Sequence, residues 1–97
     1  METEFTWDSE KAARNFRKHG VTFETAIEVF ADPNQIVAKN YLVEGEQRYQ
    51  VIGMTGRLVL LLVVFVDRSL ENVEVIHIIS ARKGEAEEER IYAEQIG

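Results

Sequence analysis

Four arginines flank apolar segments in the second half of the sequence: Arg48, Arg57, Arg68 and Arg82, the last followed by Lys83. A guanidinium is a permanently charged, planar fork of N–H donors whose shape suits a phosphate. His77 lies between Arg68 and Arg82, and an ordinary imidazole titrates near neutrality. Solvated strand ends also carry arginines, but four in one stretch with a histidine among them is a grouping that phosphate chemistry can use. His19 follows Lys18 in a window, Lys11 to Phe23, that holds Lys11, Arg14, Arg17 and Lys18 and no acid. Its simpler role is that of a cation facing a helix C-terminus. Other chemistries are poorly served. There is no cysteine for a thiol nucleophile, a disulfide or a thiolate metal site, and two histidines cannot make a three-histidine site. Gly53 and Gly56 do not form a phosphate-binding loop, because no helix follows them. No pair of carboxylates and no serine–histidine–aspartate order stands out.

The charge is uneven. Eleven Lys and Arg against seventeen Asp and Glu give a net −6, which disfavours indiscriminate binding to nucleic acid. From Met1 to Gln47 there are five basic and nine acidic residues; from Arg48 to Lys83, five and three; from Gly84 to Gly97, one and five. The middle segment, which holds the arginines, is therefore net +2 in an acidic chain.

Turn chemistry and periodicity predict the elements that would position these residues. Glu4–Trp7 reads as a short strand, and Asp8 or Ser9 caps a helix that Gly20 ends. Thr22 caps a second helix, Phe23 to about Ala31, which Pro33 stops. The period then changes from 3.6 to 2. Strands are expected over Ile36–Leu42, Arg48–Thr55, Leu58–Val66 and Val73–Ser80, with turns at 43–46 and 54–57 and a loop at 67–72. The nine-residue apolar run Leu58–Val66 is far short of the about 20 residues that span a membrane, so it reads as a buried strand. A last helix runs from Glu85 to about Gln95, its early glutamates suited to the helix dipole. The whole is one α+β domain over residues 1–97, β-α-α-β-β-β-β-α, with a small antiparallel sheet. The early helices should cover one face, and the last helix or a partner the other. Trp7, Phe16, Phe30, Leu60, Leu62 and Val64 are the expected core. Strict alternation puts His77 with Val75 and Ile79 and opposite Arg82, so Arg82 should lie past the last paired residue. The start lacks the basic segment of a secretory signal, which points to the cytoplasm.

The residues also resemble a known family. Phe5-Thr6-Trp7-Asp8, then Lys11, Asn15, Lys18-His19-Gly20-Val21, Phe23, Ala26 and Phe30, look like the first half of the BrnT toxins. Glu46-Gln47-Arg48-Tyr49 with Gly53, then Arg68, Ile78-Ile79-Ser80-Ala81-Arg82-Lys83, Glu89-Arg90 and Tyr92 are similar to the second half. The resemblance implies a RelE-like fold and the toxic half of a type II toxin–antitoxin pair. It implies RNA cleavage without a metal or other cofactor, and arrest of translation. The implied partner is a BrnA-like antitoxin of ribbon-helix-helix type, through which the complex would reach operator DNA.

Such cleavage needs a group to take the ribose 2′ proton, one to protonate the leaving 5′-oxygen, and cations to hold the phosphate. The candidates for catalysis are Arg68, Arg82, His77 and Arg48, and for RNA binding Lys18, His19, Lys83 and Tyr92. Arg68 and Arg82 match positions that are basic in the family. Where the family usually has an arginine, this chain has His77, which trades a permanent charge for a titratable one. That exchange and the net acidity leave an alternative: a non-catalytic relative that only binds its antitoxin and contributes to control of its operon.

Overall fold

The computed structural model describes residues 2–96. The chain runs β1 (Glu2–Thr6), α1 (Ser9–His19), α2 (Phe23–Ala26), a 3-10 turn (Ile27–Ala31), β2 (Ile36–Val43), β3 (Glu46–Met54), β4 (Leu60–Asp67), β5 (Val73–Lys83) and α3 (Ala86–Ile96). This is the α+β order that the sequence predicts. Asp8 caps α1 by accepting from the backbone N–H groups of Glu10 and Lys11, and Gly20 ends it in the left-handed conformation, φ 71°. The second helix tightens to 3-10 geometry after Ala26, which shortens α2.

The five strands form one sheet in the order β1-β5-β4-β3-β2. β2 to β5 make the expected antiparallel meander. β1 departs from it, pairing in parallel with β5 from Glu2 beside Val73 to Thr6 beside His77. No hairpin joins these two strands, since the rest of the sheet lies between them in sequence, so no tight turn fixes their direction.

One face of the sheet carries the larger core. Phe23, Ala26 and Val29 pack there on Val51, Leu61, Val63, Ile78 and Ala81. Trp7 stands edge-on to Phe23 at 5.9 Å, and Phe30 packs between Phe5 and Phe65. Leu62 and Val64 are buried, but Phe16 is 52% exposed and is not core. α1 has a thin apolar stripe, and the residue it buries is Asn15. Leu58 also leaves the expected strand. It lies in the β3–β4 turn at φ 64°, and β4 starts at Leu60.

Gly53 shows how closely the layers meet. A Cβ there would stand 2.5 Å from Val29 Cγ1 and 3.1 Å from the Val29 carbonyl oxygen. Gly53→Ala is expected to cost on the order of 1–3 kcal/mol, the usual range for overpacking a core, and thermal unfolding of the variant checks it. The second face holds a smaller cluster, Ile52, Leu62 and Tyr92, under α3. Among the described residues no helix is long and apolar enough to cross a membrane.

Candidate functional site

The smaller cluster covers only one end of the second face, and the polar residues gather at the other. Side chains alternate along β3, so Glu46, Arg48, Gln50 and Ile52 share this face. On β4 the same alternation gives Leu62, Val64 and Val66, and it continues to Arg68 just past the strand. β5 would place His77 and Arg82 on opposite faces, but its register shifts. Val64 pairs with Ser80 and Phe65 with Ile78, so Ile79 is an unpaired extra residue. A bulge of this kind resets the alternation. His77, Ser80 and Arg82 therefore lie on one face with Leu62, Val64 and Val66. The expectation that Arg82 lies past the last paired residue is corrected: Arg82 pairs with Leu62 inside the strand.

The register then lines up one row across the sheet. Thr6 pairs with His77, His77 with Val66, and Arg48 with Tyr41. Arg48 also precedes Tyr49, which pairs with Phe65, so Arg48 falls beside Val66. Adjacent strands are about 4.8 Å apart, which is well within reach of long side chains. Glu46 ties this row together. Its Oε1 is 3.5 Å from Arg48 Nε and its Oε2 is 3.5 Å from an Arg68 terminal nitrogen. Both are ionic contacts longer than good hydrogen bonds. Arg48 Nε is buried and has no hydrogen-bond partner among the described residues, an uncommon condition for a charged donor.

The His77 ring is half-buried on this row, with Nδ1 2.8 Å from Thr6 Oγ1. Its pKa lies below the ordinary 6.5. Burial is the main cause, the Arg68 charge adds to it, and Glu46 opposes it. Lys11 and Asp8, at the start of α1, also act on the ring, in opposite directions. The imidazole is thus neutral near pH 7.

The other candidates lie elsewhere. Arg82 is on the same face, but four paired positions along, roughly 13 Å at about 3.3 Å per residue. It is bound to α3, with a terminal nitrogen 2.8 Å from Glu88 and 3.8 Å from Glu85. Tyr92 is buried in the smaller core, where its hydroxyl donates to Asp32. The same Asp32 oxygen accepts from the Met54 N–H, so Tyr92 fastens α3 to β3. Burial and this carboxylate together raise the Tyr92 pKa. Lys18 and His19 end α1, about 10 Å beyond Lys11 at about 1.5 Å per residue. Lys83 pairs with Leu61 and lines a groove with Phe16, Arg57 and Val59.

Arg48, Arg68 and His77 are thus brought together. Glu46 and Thr6 join them without having been singled out by chemistry, and Lys11 of the basic window acts on His77 from the start of α1. The signals in sequence were the alternation Glu46-x-Arg48 and the step from Val66 to Arg68. The arrangement offers two guanidinium groups and a neutral imidazole on a half-open surface, suited to gripping a phosphodiester and accepting a proton beside it.

Comparison with known proteins agrees in family and fold. Residues 7–88 match the family described as "Ribonuclease toxin, BrnT, of type II toxin-antitoxin system". The crystal structure of the Brucella abortus ribonuclease toxin BrnT superposes with a TM-score of 0.54 at 22% identity, over 88% of this chain and 99% of that one. A sequence search of curated proteins gives no match. With the family pattern spanning Trp7 to Glu88 on a matching α+β fold, this chain belongs to the BrnT family of ribonuclease toxins of type II toxin–antitoxin systems.

Proposed function

We propose that this chain is a metal-independent endoribonuclease that stops translation by cutting RNA, with its site at the Arg48–Glu46–Arg68 cluster beside His77. The observation that carries this reading is the convergence of two arginines and a neutral imidazole on the one sheet end that α3 leaves open. Arg48 and Arg68 grip the phosphate that flanks the scissile bond and balance the charge that builds on its oxygens. In the tautomer this reading requires, His77 donates Nδ1–H to Thr6 Oγ1, which leaves the Nε2 lone pair free to take the 2′ proton. The 2′-oxygen bonds to phosphorus, the P–O5′ bond breaks, water reaching the half-exposed Arg68 protonates the 5′-oxygen, and the hydroxide that remains takes the proton from His77, which restores the neutral imidazole. Arg82 stands too far from His77 to share that phosphate. Arg82 would meet RNA further along this face, while Lys83, which pairs with Leu61 and so alternates to the other face, and Lys18 and His19 would touch only an RNA that wraps the sheet edge.

Total RNA incubated with the purified protein and EDTA tests the reading. Cleavage products that vanish in His77→Ala support it. Intact RNA at micromolar enzyme favours the non-catalytic antitoxin-binding alternative, which the net charge of −6 also suits.

The pH profile carries a second expectation. As a base, His77 must be neutral, and its pKa lies below 6.5. Cleavage should therefore be at full rate at pH 7 and fall only as pH drops through that lowered pKa. A rate that is already falling at pH 7 would contradict the assignment. The partner is a BrnA-like antitoxin of ribbon-helix-helix type, met in the cytoplasm, which carries the contacts to operator DNA. Because such antitoxins dimerise, the co-expressed pair should elute from gel filtration as one species, with each chain in multiples of two.

A further inference from the structure

Glu46 is the acid that Arg48 and Arg68 share. It stands between two guanidinium groups, 3.5 Å from each, where a phosphate would have to sit to be held by both. The contacts are loose, and the buried Arg48 Nε keeps an unsatisfied donor. A bidentate pair of close hydrogen bonds would have used that donor. The backbone gives Glu46 its position: β3 begins there, after a tight turn in which Glu44 and Gly45 both have positive φ, 49° and 83°, as a two-residue hairpin of this hand requires.

We infer that Glu46 is a positioning residue that acts as a built-in stand-in for the substrate phosphate. Its carboxylate holds Arg48 and Arg68 converged while the site is empty and is displaced when a phosphodiester enters. The inference rests on the ribonuclease reading for the identity of the incoming anion. In the free protein the carboxylate lessens the mutual repulsion of the two cations, which on a small sheet would otherwise splay. On binding, the phosphate takes up the orphaned Nε donor, a contact that Glu46 does not make well. The carboxylate thus opposes binding through its charge and aids it through order. Charge dominates, because contacts of 3.5 Å fix geometry weakly, while a like charge beside the phosphate acts without any special alignment.

The charged groups that act on His77 are Glu46 from β3, Arg68 after β4, and Asp8 and Lys11 at the start of α1. Glu46 raises the His77 pKa, so its neutralisation should also be visible at the imidazole.

The test is Glu46→Gln, which keeps size and an acceptor oxygen and removes the charge. Two readouts are needed. The first is binding of a short RNA with 2′-O-methyl substitution at every position, which cannot be cleaved because its 2′-oxygens carry no proton to lose. Its Kd should fall about fivefold in Glu46→Gln, the scale of one partly exposed charge interaction, and the affinity should drop more steeply with salt. The second is the NMR titration of the His77 ring, separated from His19 by a His19→Gln variant. Its pKa should move to lower pH in Glu46→Gln and be unchanged in Glu44→Gln, the neighbouring acid in the turn. Equal or weaker binding by Glu46→Gln overturns the inference, as does an unmoved His77 titration. Failure of the ribonuclease reading shows separately, as wild-type protein that leaves RNA intact while both readouts still respond to Glu46.

Discussion

Arg68→Ala should lower kcat/KM for RNA cleavage by about 10²–10³-fold, the usual loss when one preorganised donor to a developing anion is removed. The fold should not notice. The Arg68 side chain is 50% exposed, and its one ion pair among the described residues is a 3.5 Å contact with Glu46. A surface change of this kind usually stays within about 0.5 kcal/mol. Unfolding midpoints of variant and wild type should therefore coincide while cleavage collapses. Arg82→Ala should show the reverse pattern. Its guanidinium bonds Glu88 at 2.8 Å and the Lys83 carbonyl at 3.0 Å, so its loss loosens α3, with a small effect on cleavage. Comparing the two single variants in one assay separates a phosphate grip from a structural tie. Should Arg82→Ala abolish cleavage at unchanged stability while Arg68→Ala remains active, the site lies at the α3 end of the sheet face.

The sequence alone could not make that distinction, and the reason is one residue. A strand read with period 2 puts His77 and Arg82 on opposite faces, and nothing in Ile78-Ile79-Ser80 marks the unpaired Ile79. Bulges depend on how the partner strand pairs, and that is a property of the sheet. What was legible was β3. Its alternation put Arg48, Gln50 and Ile52 on one face and Tyr49 and Val51 on the other, and the sheet keeps that division. The pairing of Arg48 with Arg68 was not legible, since it needs the turn at Glu44-Gly45 to bring β3 back at the register that sets Tyr49 beside Phe65. Tyr92 was misleading for a different reason. An aromatic hydroxyl on a terminal helix suits RNA as well as it suits a core, and only the position of Asp32, sixty residues away in sequence, decides for the core.

The fold was more legible than the site because its signals are local. Caps at Asp8 and Thr22, the stops at Gly20 and Pro33 and the change from helical to alternating period place the elements in order. Direction of pairing is not local. β1 was readable as a strand and unreadable as the parallel neighbour of β5. Phe16 misled by its size, since on a helix with so thin an apolar stripe a large ring can stay in solvent while an amide takes the buried place.

That amide supports the second large expectation. β1 pairs with β5 only as far as His77, so beyond it the outer edge of β5 has no neighbouring strand. Asn15 takes over that edge. Its Nδ2 donates to the Ala81 carbonyl at 2.8 Å and to the Val21 carbonyl at 3.0 Å, and its Oδ1 accepts from the Ala81 N–H at 3.1 Å. One side chain thus imitates a strand toward Ala81 and pins the loop after α1 as well. Asn15→Ala would leave one buried N–H and two buried carbonyls without partners, at about 1–3 kcal/mol for each unsatisfied group. Partial relief by water brings the expected loss to about 3–5 kcal/mol, a large part of the roughly 5–15 kcal/mol that holds a domain together. Asn15→Asp should lose no less, since it keeps the acceptor for the Ala81 N–H but sets a buried carboxylate against the two carbonyl oxygens. Urea unfolding should place both variants well below wild type. An Asn15→Ala midpoint equal to that of wild type would mean that β5 holds its edge without this amide and that α1 is fixed to the sheet by its apolar contacts alone.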